Sequence, residues 1–130
     1  MTHYEQTLRK LAVRDDAFVE SMLAHDRQNV EASRLDPKAH ALVRIGALIA
    51  IDAAPPSYMW TVESAMRHGA TVDEIVGALI AVLPAIGSGR VVSAAPKLGL
   101  AVGYDVSHAL EQFDPPSIDV IGNPPARPVG

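Results

Sequence analysis

The chain has 130 residues and a mass of 13.8 kDa, enough for one hydrophobic core and too little for two. It is 48% hydrophobic but only 5% aromatic, so its apolar bulk is Ala, Val, Leu and Ile, a mixture that suits helix packing. The absence of cysteine excludes disulfides, thiolate nucleophiles and cysteine-ligated metals, and a net charge of −4 argues against a nucleic-acid partner.

Charge is concentrated early: residues 1–40 carry six basic and seven acidic side chains, whereas residues 41–103 carry four of each. The stretch from Met1 to Ala12 is charged and lacks the apolar run of a secretory signal, which sets the expectation of a cytoplasmic protein. Tyr4–Ala12 and Asp16–Ala24 place Leu8 and Leu11, then Phe18, Val19, Met22 and Leu23, at helical spacing. Each segment is expected to lay one face on the core.

Asp36-Pro37 reads as a helix start, with Asp as N-cap and Pro at the first helical position, and the helix continues to Ile51. Pro55-Pro56 opens the next element, Ser57 to His68, which Gly69 closes. Thr71-Val72-Asp73-Glu74 has the form of a capping box. The following helix, Ile75 to about Ile86, has no polar side chain, and Pro84 is expected to kink or end it. The uncharged run Ile75–Gly89 is shorter than the roughly 20 residues of a membrane span, so no membrane partner is expected.

Gly87-Ser88-Gly89 is expected to break the chain before a helix from Arg90 to Val102, with Arg90, Ser93 and Lys97 on one stripe. Gly103 stops that helix, and Asp105–Phe113 forms a last short one. From Asp114 onward five prolines in 17 residues favour an extended arm. No stretch alternates with period two. The predicted fold class is therefore all-α: a bundle of about six to seven helices over residues 1–113, with a Pro-rich arm over 114–130.

Ala41–Ile51 and Ile75–Ile86 are apolar on nearly every face, which a bundle this small cannot cover by itself. A second copy of the same chain is the simplest cover, and Gly46, Ala50, Gly77, Ala81 and Ala85 are small enough for close helix approach.

Several residues bear on chemistry. Ser57, Thr61, Ser64 and His68 follow i, i+4, i+7, i+11 and form one polar stripe, with Tyr58, Met59, Val62, Ala65 and Met66 on the other side. Arg90, alone between two apolar stretches, is placed to fork onto a substrate carboxylate, to pair with a carboxylate across an interface, or to cap carbonyls. Arg44 and His40, one turn apart, form a similar pair, or a structural one with Asp52, Glu63 or Glu74 of a neighbouring chain. Glu63 and Arg67 stand at i, i+4 and read as a solvated helix pair. The histidines His3, His25, His40, His68 and His108 include no i, i+4 couple, so no metal site is expected. Neither a phosphate-cradling loop nor a dinucleotide fingerprint occurs, and no cofactor is expected.

Leu35-Asp36-Pro37-Lys38, the apolar helix after it, and Gly69-Ala70-Thr71-Val72-Asp73-Glu74-Ile75 resemble the carboxymuconolactone decarboxylase family, which shares the alkyl hydroperoxidase D fold. Ile86 to Pro96 is similar to that family's following turn and helix, so the resemblance spans about residues 35–105. It implies a helical protomer assembled as a homotrimer or hexamer, with sites between protomers. In the hydroperoxidase branch a Cys-x-x-Cys pair and a later histidine would fall on Ala54, Ser57 and Thr61, so all three redox positions are lost. No hydroxyl or methyl replaces a thiolate as peroxide nucleophile. The decarboxylase branch keeps the histidine that Thr61 replaces, which leaves His40 or His68 to be recruited for proton transfer.

By the same resemblance Ser57 and Thr61 are ligand donors and Trp60 a wall of the site; Arg90, from its own place in the sequence, is the candidate carboxylate clamp. The expectation is a cofactor-free, lyase-like protein acting on a small acidic or lactone substrate. The alternative is a non-catalytic homo-oligomer that binds a small molecule or serves structurally.

Overall fold

The computed structural model describes residues 1–112, and among them the chain is all-helical, with eight helices and no strand. Helices α1 (His3–Ala12), α2 (Asp16–Ala24) and α3 (Asp26–Ser33) form the charged N-terminal part. Helices α4 (Pro37–Ala50), α5 (Pro55–Arg67), α6 (Val72–Ile86) and α7 (Ser88–Ala101) build the core, and α8 (Val106–Gln112) leans on α7. Phe113 and the Pro-rich arm 114–130 lie outside the described residues.

The helix starts follow their capping chemistry. Asp36 accepts from the Ala39 amide at 2.8 Å, with Pro37 at the first helical position. Thr71 and Glu74 close the capping box, the Glu74 amide donating to Thr71 Oγ1 at 3.0 Å and the Thr71 amide to Glu74 Oε1 at 2.9 Å. Lys38 Nζ donates to the same carboxylate at 2.9 Å, tying the first turns of α4 and α6 together. These contacts, the Thr71 amide first, hold the Glu74 carboxyl below its usual range.

The core lies between α4, α5, α6 and α7, where Ile45, Ile49, Tyr58, Val62, Ile75 and Leu98 are fully buried. Two glycines mark close approach. A Cβ on Gly46 would stand 3.3 Å from Val82 Cγ1, so here the small residue serves contact between α4 and α6 of one chain. A Cβ on Gly99 would stand 2.8 Å from the Tyr104 carbonyl oxygen, which lets the chain fold back over α7 towards α8.

Four expectations change. The helix α3 is an addition to the predicted six or seven, and its sequence Asp26-Arg27-Gln28-Asn29-Val30-Glu31-Ala32-Ser33 has too few apolar residues for a helical period. Neither α1 nor α2 buries a residue: Leu8 is 61% exposed, Leu11 and Leu23 are exposed, and Phe18, Val19 and Met22 are half-buried. None of the four core helices packs closely on α1, so its apolar stripe stays exposed. Only Gly87 interrupts the chain between α6 and α7, and Ser88 and Gly89 belong to α7. Pro84 sits inside α6, which ends two residues later at Ile86 because the left-handed Gly87 turns the chain away.

The two all-apolar helices keep exposed apolar side chains within this single chain. Val43 on α4, Ile51 just past its end, and Ile80 (72% exposed) and Leu83 on α6 all face outward. Among the described residues no helix is long and apolar enough to cross a membrane.

Candidate functional site

The polar stripe of α5 and the start of α4 face each other across a cavity of about 560 Å³, roofed by α3. From α5 come Trp60, Thr61, Ser64 and Arg67, with His68 at the helix end. Opposite them stand His40 and Arg44 of α4, and Asp26, Arg27 and Glu31 of α3 close the third side. The volume lies within the roughly 300–1,000 Å³ of small-molecule sites. A second, smaller groove of about 320 Å³ runs between Met59, Trp60, Met66 and Ala101 on the other flank of α5.

The charges in the cavity are unequally matched. Arg44 pairs with Asp26 of the same chain at 3.1 Å. Arg27 pairs with Glu31 at 3.5 Å, one turn along α3. Arg67 has no carboxylate within salt-bridge distance among the described residues, so its expected pairing with Glu63 is not made. The i, i+4 spacing permits that contact, but Arg67 lines the cavity while Glu63 borders the smaller groove.

The two cavity histidines are held by acceptor or donor partners. His40 is 8% exposed, and its Nε2 lies 2.7 Å from Asn29 Oδ1. Burial, and secondly the Arg44 guanidinium, push its basicity below the usual histidine value; Asp26 opposes this and His68 adds to it. His68 Nδ1 lies 2.8 Å from the Ser64 carbonyl oxygen. Thr61 Oγ1 donates to the Ser57 carbonyl at 2.9 Å, leaving its two lone pairs as acceptors.

The residues proposed from sequence divide between this cavity and elsewhere. Thr61 and Trp60 line it, and Trp60 borders both hollows with 74% of its surface exposed. Ser57 is exposed in the first turn of α5 and does not line the cavity, and Ala54 is the exposed N-cap of that helix. Arg90 lies elsewhere in the fold, 3.4 Å from Asp52.

Asp52 is the centre of a separate polar cluster. It follows α4 in a left-handed conformation, φ +55°, which a short polar residue tolerates. Ser93 Oγ donates to it at 2.7 Å and Lys97 Nζ at 3.0 Å, while Lys97 also donates to the Ala53 carbonyl at 3.1 Å. The Ser93 hydroxyl first, then Lys97, hold the Asp52 carboxyl below its usual range. The stripe Arg90, Ser93, Lys97 on α7 thus meets one carboxylate. Beside it, the Tyr58 hydroxyl is fully buried without a hydrogen-bond partner, and burial and the Asp52 charge raise its pKa.

Sequence reasoning gathered Thr61, Ser64 and His68 on one stripe beside Trp60 and paired His40 with Arg44, but gave no reason to bring the stripe and the pair to one cavity. It missed Asp26, Asn29 and the cavity-lining role of Arg67. A signal for Asn29 and Asp26 was out of reach, because the helix that carries them has no apolar period. Compared with known proteins, the chain matches no family model, no curated protein and no solved structure.

Proposed function

We propose that this chain is a cofactor-free, lyase-like protein that takes a small carboxylate-bearing acid or lactone into the α3–α4–α5 cavity, in the manner of the carboxymuconolactone decarboxylase family it resembles. One observation carries the reading: a guanidinium with no carboxylate partner among the described residues, Arg67, and a histidine of lowered basicity, His40, line the same cavity. A guanidinium offers two parallel N–H donors to a carboxylate. Thr61 and Ser64 offer hydroxyls to a lactone carbonyl, and Trp60 offers a flat apolar wall.

Loss of carbon dioxide breaks one C–C bond and sends its electron pair into the conjugated carbonyl. The resulting enolate carbon then takes a proton, which a cationic ring nitrogen supplies and solvent restores. A histidine of lowered basicity is the stronger acid for that delivery once it is protonated. With the redox positions occupied by Ala54, Ser57 and Thr61, the reading excludes thiol peroxidase chemistry.

Self-association belongs to the same proposal, as a homotrimer or hexamer. Its support is the outward apolar side chains of α4 and α6, joined by Val92 and Leu100 of α7. Light scattering at low concentration tests it, and a stable species of 13.8 kDa overturns it.

The cavity reading has a direct assay, because Trp60 is the single tryptophan and borders the cavity. Titration with benzoate and with carboxymuconolactone is expected to change its fluorescence saturably. Carbon dioxide release from carboxymuconolactone supports the lyase. Saturable binding without release leaves the non-catalytic small-molecule-binding protein, and no binding by either compound removes the site.

A further inference from the structure

The tautomer of His40 follows from its neighbours. Asn29 Nδ2 donates to the Met22 carbonyl at 3.0 Å. A carbonyl oxygen only accepts, so the amide of Asn29 is oriented with its NH₂ towards Met22 and its Oδ1 towards His40. That oxygen also only accepts, so the ring nitrogen facing it, Nε2 at 2.7 Å, must carry a hydrogen. In the neutral ring the lone pair is then on Nδ1.

His40 Nδ1 makes no hydrogen bond among the described residues, yet it is not sealed in the interior: the Tyr58 hydroxyl is the one buried side-chain polar atom without a partner among them. The open space that His40 borders is the cavity. His68 is held the other way round. Its Nδ1 faces the Ser64 carbonyl and therefore carries the hydrogen, which leaves Nε2 as its lone-pair atom.

We infer that Asn29 is a positioning residue that commits Nε2–H of His40 to a fixed hydrogen bond and makes Nδ1 the atom at which this ring gains and loses its proton in the cavity. The inference rests on the proposed acid–base reading of the cavity and says which atom performs it. A proton arriving from solvent or from the bound acid forms a bond to Nδ1, and its delivery to ligand carbon breaks that bond. The Nε2–H bond is unchanged throughout, so the ring returns to its starting tautomer without turning over. The charged and titratable groups that line the cavity with this ring are Arg44 on its own helix, Asp26, Arg27 and Glu31 from α3, and Arg67 and His68 from the end of α5.

Side-chain ¹⁵N spectroscopy of the full chain, without ligand, tests this directly. The expected result is a neutral His40 in the Nε2–H form and a neutral His68 in the Nδ1–H form. Asn29→Asp puts an anionic acceptor on Nε2 and is expected to raise the His40 titration midpoint by about 1 unit or more. Asn29→Leu removes the acceptor and is expected to mix the two tautomers of His40, with His68 unmoved. A wild-type His40 in the Nδ1–H form overturns the inference, and so does a midpoint that does not move in a folded Asn29→Asp. These readouts need no ligand, so failure of benzoate to bind would defeat the cavity reading and leave the tautomer assignment standing.

Discussion

Two polar clusters sit in different parts of this molecule and differ in how fully their charges are matched. Around Asp52 the charges are matched: Arg90, Ser93 and Lys97 all converge on one carboxylate, and Lys97 also takes the Ala53 carbonyl. In the α3–α4–α5 cavity Asp26 and Glu31 are each engaged by an arginine, but Arg67 and one nitrogen of each histidine have no partner among the described residues. In the first cluster donors and acceptors satisfy one another; in the second, donors and lone pairs are left open to the cavity and to solvent.

The sharpest way to break that contrast is to remove Arg67. Arg67→Met is expected to weaken benzoate binding about 10- to 100-fold, the scale of a lost charge-assisted hydrogen bond, with the thermal midpoint unchanged. Isothermal titration and a melting curve read both, and an equal loss from Arg90→Met would erase the distinction between the clusters.

Asp52→Asn is expected to do the reverse, lowering the thermal midpoint while ligand affinity holds, since Arg90 and Lys97 would share a face of α7 without a counter-charge. Because the folded state depresses the Asp52 pKa, its contribution is present above the unfolded value and is lost as pH falls through the folded one. Melting curves from neutral to acid pH should therefore show a shallower acid limb in the variant than in the wild type.

Tyr58→Phe removes a buried hydroxyl without a hydrogen-bond partner among the described residues. It is expected to stabilise the chain by about 1 kcal/mol in urea unfolding, the order of an unpaired buried polar group. A loss of stability would mean that the hydroxyl has a partner such as ordered water. The smallest effect belongs to Glu63→Ala. Despite its i, i+4 spacing from Arg67, it should change stability by under about 0.5 kcal/mol and leave ligand affinity alone.

Much of the fold is written locally. Asp36-Pro37 and the Thr71–Glu74 capping box start their helices through contacts within a single turn, so the residue types suffice to read them. The stripe Ser57, Thr61, Ser64, His68 is helix geometry, and three of its members reach the cavity. Arg90 stands on α7 beside Asp52, a contact made possible by the left-handed turn after α4. The N-terminal helices illustrate the other limit: the amphipathic spacing of Leu8 and Leu11 specifies a helix, but the place where its apolar face lies depends on room left in the core.

By itself the sequence determined an all-helical chain, its caps, its cysteine-free chemistry and an excess of apolar surface on two helices, because those follow from residue type and spacing of 3.6 per turn. Tertiary structure alone decided which charges are matched. Asp52 meets Ser93 and Lys97 across about 40 residues of chain, and Asn29 meets His40 from a helix with no apolar period. Hydrogen bonds and ion pairs act over a few ångströms of space and are indifferent to distance along the chain, so only the packed helices could separate the satisfied cluster from the open one.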